Sequence, residues 1–290
     1  MKRVVQLTIV AALASLVPAG TAFAQGAVVP LKKEVRITVA AGKVAAKTSK
    51  CPAGWVAASG TIVPARNTAV VASVPKGVSS WRFRVANARK SKVRVNAELR
   101  CMRLEVPEAL GDVFLRVGTA RVRRALVPAG QSTVERVRCP QGQVPTGFGL
   151  DHGDVDSPGA GVQVTAVVPT TYGFYVGLEN LGDSDAIVNP YGRCVQRTQK
   201  ADNATHRMQI RVAKFRGKLK GGADRVRGAC RKGFWSVDAG FRVEPSASLF
   251  TIAARPTGTR GGRWSFSAPS ERADAVSANL LCVDLRTQFR

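Results

Sequence analysis

The chain has 290 residues, with 44 Lys or Arg against 19 Asp or Glu and a formal net charge of +25. Two histidines restrict any Ser-His-Asp or Cys-His mechanism to His152 or His206. Aromatic residues make up 6% of the chain and form no series among the basic residues, which argues against a dedicated nucleic-acid ligand.

In chain order the first feature is Met1-Lys2-Arg3, followed by the apolar run 4–17 and the small-residue triplet Ala22-Phe23-Ala24. Residues 1–24 read as a secretory signal peptide cleaved after Ala24, since the run is shorter than the roughly 20 residues that span a bilayer. The expected location is secreted, periplasmic or cell-envelope.

Segments 35–40 and 44–50 read as a strand pair around Gly42, ahead of Cys51-Pro-Ala-Gly. Proline fixes φ and glycine admits a positive φ, so this motif reads as a turn leaving a disulfide. A short apolar strand (61–74), Pro75, and alternating segments at 81–87 and 93–101 complete the unit. The alternation predicts a β-hairpin with one buried and one cationic face.

The pattern returns. Segments 114–126 and 133–138 precede Cys139-Pro-Gln-Gly; 162–168, Pro169, 174–180 and 186–194 follow, closing on Cys194. Asn180 lies 14 residues before Cys194, as Asn87 lies before Cys101. A third copy runs through 208–219, 225–229, Cys230-Arg-Lys-Gly, 249–254, Pro256, Trp264 and Cys282, with no asparagine at its turn. Arg231 stands where the others have proline, so a looser turn is expected. The units are bounded at 25–112, 113–202 and 203–290. Two cysteines in each of three equivalent units favour Cys51–Cys101, Cys139–Cys194 and Cys230–Cys282. A metal site is disfavoured, because the sequence contains no Cys-x-x-Cys.

Nothing in the mature chain keeps a 3.6-residue period. The expected fold is all-β: three tandem, homologous, disulfide-stapled β-sandwich-like modules, or one pseudo-three-fold β-prism.

Cys-Pro-x-Gly, a small-residue strand with glycine, a proline, an aromatic, an asparagine and a closing cysteine together resemble modules of secreted and surface proteins from high-GC bacteria. That resemblance implies a secreted setting and no settled activity. A more distant similarity, to three-fold β-prism proteins of the vitelline-membrane outer-layer type, bears on architecture only.

Charge is uneven: +11 over residues 25–112, +2 over 113–200 and +10 over 201–290. Arg82, Arg84 and Arg94 alternate with apolar residues in the first unit, and Arg211, Lys214, Arg216, Lys218 and Lys220 crowd one stretch of the third. A cationic face attracts polyanions by steering and counterion release. The expected partner is an anionic extracellular polymer or envelope component: acidic polysaccharide, lipopolysaccharide, teichoic acid or released DNA. The same charges would also serve solubility alone.

His206 reads as a solvated linker residue. Asp151, Asp154 and Asp156 lie in a glycine-rich loop and form a weak calcium candidate without calcium-loop spacing. No nucleophile motif is present, and no cofactor or catalytic residue is expected. The function expected is a non-catalytic extracellular binding protein. The alternatives are a carboxylate-dependent polysaccharide hydrolase, for instance through Asp154 and Glu179, and a purely structural matrix protein.

Overall fold

The computed structural model describes residues 27–65, 67–106, 115–122, 124–153, 161–200, 204–219, 226–243, 253–257, 263–267 and 274–289, all strand, turn or loop. The expected signal peptide and the unit bounds at 112 and 202 lie outside these residues.

The first unit contributes β1 (Ala27–Val39), β2 (Val44–Lys50), β3 (Val56–Val63), β4 (Thr68–Pro75), β5 (Ser80–Asn87) and β6 (Val93–Glu105). Strands β1-β6-β3 form one sheet, and β2-β5-β4 run side by side in another. The inward faces of the two sheets enclose Val35, Ile37, Trp81, Phe83, Val95 and Leu99. Each such side chain, removed from water, contributes about 1.5–3 kcal/mol.

The expected hairpin is corrected here. Segments 81–87 and 93–101 belong to different sheets: β5 pairs with β2 and β4, whereas β6 pairs with β1 and β3. Their alternation reflects two strands facing one core from opposite sides. The expected pair of 35–40 with 44–50 splits likewise, since β1 pairs with β6 and β2 with β5. Asn87 holds the crossing between sheets. Its Nδ2 donates to the carbonyls of Val39, Ala40 and Ser91 at 3.2, 3.0 and 2.9 Å, and its Oδ1 accepts from Arg89 N–H at 2.9 Å. Asn180 does the same for the second unit, donating to Val127 and Ser184 and accepting from Gly182 N–H.

The remaining strands are β7 (Val117–Val122), β8 (Ala125–Val127), β9 (Ser132–Arg138), β10 (Gln143–Asp151), β11 (Val162–Thr170), β12 (Gly173–Asn180), β13 (Ala186–Gln196), β14 (Thr198–Lys200), β15 (Ala204–Leu219), β16 (Val226–Ala229), β17 (Trp235–Val243), β18 (Ala253–Thr257), β19 (Arg263–Ser267) and β20 (Asp274–Phe289). They repeat the pairing order. β13 lies between β10 and the β7–β8 strand, and β12 between β9 and β11; β20 lies between β15 and β17, and β19 between β16 and β18. Pro75 opposes Trp81, Pro169 opposes Phe174 and Pro256 opposes Trp264.

The units do not stand apart as separate sandwiches. β4 pairs with β10 and β11 pairs with β17, so two seven-stranded sheets run across the expected bounds. One apolar core also draws on all three units. Met102, Val195 and Val283, each following a closing cysteine, are fully buried in it together with Val56, Val237 and Leu281. Glycine makes both joints possible. A Cβ on Gly149 would lie 2.5 Å from Ser73 O, and one on Gly240 would lie 2.1 Å from Val167 O. Both glycines stand ten residues after an opening cysteine, and Thr61 holds that place in the first unit. β3 and β18 are close, with no ladder between them among the described residues.

The three disulfides are Cys51–Cys101, Cys139–Cys194 and Cys230–Cys282, and they close loops of 50, 55 and 52 residues. The turn after Cys230 is not looser than its counterparts. Phe234 N–H donates to Arg231 O at 2.9 Å and Gly233 has φ +88°, matching Trp55 to Pro52 with Gly54 at +76° and Gln143 to Pro140 with Gly142 at +76°. Proline occupies the first position of that turn, outside its central pair, so only the glycine is required.

Candidate functional site

Three places gather polar chemistry: the axis of the molecule, the joint between the first two units, and the exposed strand faces.

At the axis, β3, β10 and β17 each carry a bulge seven residues after the opening cysteine, at Ala58, Thr146 and Val237. The extra residue bends each strand inward, and the residues that follow (Ser59, Gly147 and Asp238) meet. Ser59 Oγ donates to Val237 O at 2.7 Å, Phe148 N–H donates to Asp238 Oδ2 at 2.7 Å, and Arg100 Nη1 donates to Ser236 O at 2.7 Å. A Cβ on Gly147 would lie 2.0 Å from Ala58 O, so this corner accepts only glycine. Burial pushes the Asp238 carboxyl up to about 7, against the pull of the Phe148 and Ala239 N–H groups and the Arg100 charge. Burial also lowers Arg100 to about 10, opposed by Glu98 and Asp238. Ser59, Arg100 and Asp238 are all buried, so this cluster is a joint rather than a substrate site. Arg193 precedes Cys194 as Arg100 precedes Cys101, and its Nη2 donates to Gly77 O.

At the joint, Arg84 reaches across the unit boundary. Its Nη1 lies 3.8 Å from Asp151 Oδ1 and donates to Gly153 O at 3.3 Å. The row Arg84, Ala72, Asp151 explains the contact, since Ala72 pairs with both. Asp151 thus serves the joint and also accepts Gly153 N–H at 3.1 Å. Asp154 and Asp156 lie outside the described residues, and no cluster of three metal-ligating side chains occurs among the described ones. Burial lowers the pKa of His152, opposed by the neighbouring Asp151 charge. Glu179 accepts a hydrogen bond from Gln163 Nε2 at 2.6 Å. His206 is not a solvated linker residue. It lies buried in β15, which pairs with β14 and β20, and burial lowers its pKa.

The cations of the expected binding set separate. Arg82 and Arg84 lie on β5 and Arg94 lies on β6, in different sheets; Arg94 is exposed and Arg82 half-buried. On β15, Arg211 pairs with Cys282 and therefore faces the other side from Lys214 and Arg216, which pair with Asn279 and Ser277. Its guanidinium lies over the Phe234 ring, 5.1 Å from the centroid. Lys218 pairs with Ala275 further along β15, and Lys220 lies outside the described residues.

Sequence reading missed Arg242. It pairs with Ser277 from the side opposite Arg216, so one row across the second seven-stranded sheet reads Val134, Gly177, Ala166, Arg242, Ser277, Arg216. The adjacent row carries Arg136 and Tyr175 at one end and Asn279 and Lys214 at the other. Lys214, Arg216 and Arg242 are exposed, and no described carboxylate is ion-paired with them. Arg242 could have been found by counting: twelve residues after the opening cysteine stand Val63, Asp151 and Arg242. No family model matches the chain, and no curated protein matches it.

Proposed function

We propose that this is a non-catalytic extracellular or cell-envelope protein that holds an anionic polymer on its cationic strand faces. The observation that carries the reading is the exposed group Lys214, Arg216 and Arg242 on one sheet face, without a described counter-charge. Cations held apart by a rigid ladder keep their field at low cost in side-chain ordering, so a polyanion gains from counterion release on contact. A setting outside the cytoplasm is supported by the three disulfides and by the signal-like residues 1–24. No helix among the described residues is long and apolar enough to cross a membrane. The resemblance to secreted bacterial modules belongs to the same reading.

The test is chromatography of the mature chain on heparin and on carboxylated polysaccharide. Retention at low salt with elution as ionic strength rises is expected, and binding that ignores salt sinks the reading.

A further inference from the structure

We infer that the exposed end of one face of the second seven-stranded sheet, beyond the point where Leu281 and Val283 on that face enter the axial core, is a binding platform for a linear polysaccharide bearing carboxylate or sulfate groups, with Tyr175 as its stacking end and Arg216–Ser277–Arg242 as its anion clamp. This rests on the reading above and narrows it to one face and one ligand class.

The clamp follows from register. Arg216 on β15 and Arg242 on β17 pair with the same residue, Ser277 of the intervening β20. Directly paired residues share a face, so both guanidinium groups rise on the same side, from backbones about 10 Å apart, two strand spacings. Each is long enough to lean inward over the Ser277 hydroxyl. The fork of a guanidinium matches the paired oxygens of a carboxylate or sulfate, which a single lysine does not. The position is specific to the third unit. Its equivalents in the second unit set Asp151 beside Arg84, and in the first unit Val63 stands where Arg242 does.

The stacking end lies on β12, three strands from Ser277. Tyr175 is 37% exposed and Val134 71% exposed, side by side on this face. Arg136 lies over the Tyr175 ring at 5.0 Å from its centroid, which holds the ring and adds a cation beside it. Between the two ends, the row that leads to Arg242 consists of Gly177 and Ala166, and Val168, half-buried beside Tyr175, is the one branched side chain in the adjacent row on β11. An exposed ring suits the C–H face of a sugar, and its polar edge suits hydroxyls. The span from β12 to β15 is four strand spacings, about 19 Å, and calls for an extended chain rather than a small ion. Nucleic acid fits less well, because base stacking calls for several rings along the track and this face offers one.

The experiment compares the full mature chain with Arg216→Gln/Arg242→Gln, Tyr175→Ala, and a control pair Arg36→Gln/Lys92→Gln, both exposed on the first unit and outside the expected binding set. Binding to polygalacturonate, heparin, neutral dextran and single-stranded DNA is read by calorimetry at two salt concentrations, with far-ultraviolet dichroism confirming the fold. We expect the clamp pair to weaken binding to the acidic polysaccharides at least ten-fold and to flatten its salt dependence. Tyr175→Ala is expected to weaken it several-fold at both salt concentrations, the control pair less than three-fold, and dextran is expected not to bind. If the wild type binds no polyanion, the function proposed above fails. If it binds but the clamp pair and Tyr175→Ala behave as wild type, the platform alone is overturned. Tighter binding of DNA with the same dependence on these residues overturns the polysaccharide assignment.

Discussion

Removing the charge of Asp238 should abolish a pH dependence that wild-type stability carries. An aspartate whose native pKa sits near 7, against an ordinary value of 3.8, keeps its proton in the folded state while the unfolded chain has lost it. Between those values the native state binds one more proton than the unfolded state, so stability falls as pH rises. The slope is about 1.4 kcal/mol per pH unit, and between pH 5.5 and 8 the loss is about 2 kcal/mol, levelling off above the native pKa. His152 and His206, with native pKa values below the ordinary one, act with the opposite sign at and below their unfolded value. The comparison is therefore a difference between variants.

Asp238→Asn keeps an oxygen for the Phe148 N–H while removing the titration. Guanidinium unfolding of oxidised wild type and variant at pH 5.5, 6.5, 7.5 and 8.5 should give a stability difference that shifts toward the variant by about 2 kcal/mol across the series. A difference independent of pH would refute the reasoning, because Asp238 would then be ionised in the folded state throughout. A wild type that gains stability relative to the variant as pH rises would refute its sign.

Other consequences can be measured directly. Asn87→Ala removes the side chain that joins Val39, Ala40, Arg89 and Ser91 at the sheet crossing, and should cost about 2–4 kcal/mol in denaturant unfolding. Asn87→Asp should be no milder, since it sets a carboxylate against three carbonyls. Gly240→Ala places a methyl 2.1 Å from Val167 O and should cost about 3 kcal/mol, with faster hydrogen exchange in β11 and β17 than in β1 or β6. Arg231→Pro restores the residue found at Pro52 and Pro140 and should stabilise by about 0.5–1 kcal/mol, read as a higher denaturation midpoint. A loss there would mean that the third turn differs from the other two.

The sequence showed most clearly what depends on local chemistry. Cysteine spacing led to the disulfides and alternation led to β5 and β6, but β10 and β17 were not read as strands and the segment 61–74 ran β3 and β4 together. Alternation does not say whether two successive strands pair edge to edge or face each other across a core, which is why 81–87 and 93–101 read as a hairpin. Both arrangements bury every second residue. The joints between units were invisible for another reason: they depend on Gly149 and Gly240, whose meaning appears only when the strand they admit is known. His206 misled because its polar neighbours suggested a linker, whereas pairing with β14 and β20 buries it.

Arg242 shows how one scaffold takes different surfaces. Across the two fused sheets the same ladder position holds Asp151 in one and Arg242 in the other. In the first sheet the acid answers Arg84, so the charge is spent on holding two units together. In the second sheet the facing position is Gly177, which offers no partner, and the arginine projects beside Ser277 and Arg216. A joint that needs no ion pair leaves its cation to the solvent. Installing the acid should therefore convert one surface into the other: Arg242→Asp should leave the fold intact, pair with Arg216 across Ser277, and lower the salt concentration that elutes the protein from acidic polysaccharide as far as the Arg216→Gln/Arg242→Gln pair does. Elution of that variant at the wild-type salt concentration would place the binding charge elsewhere on the molecule.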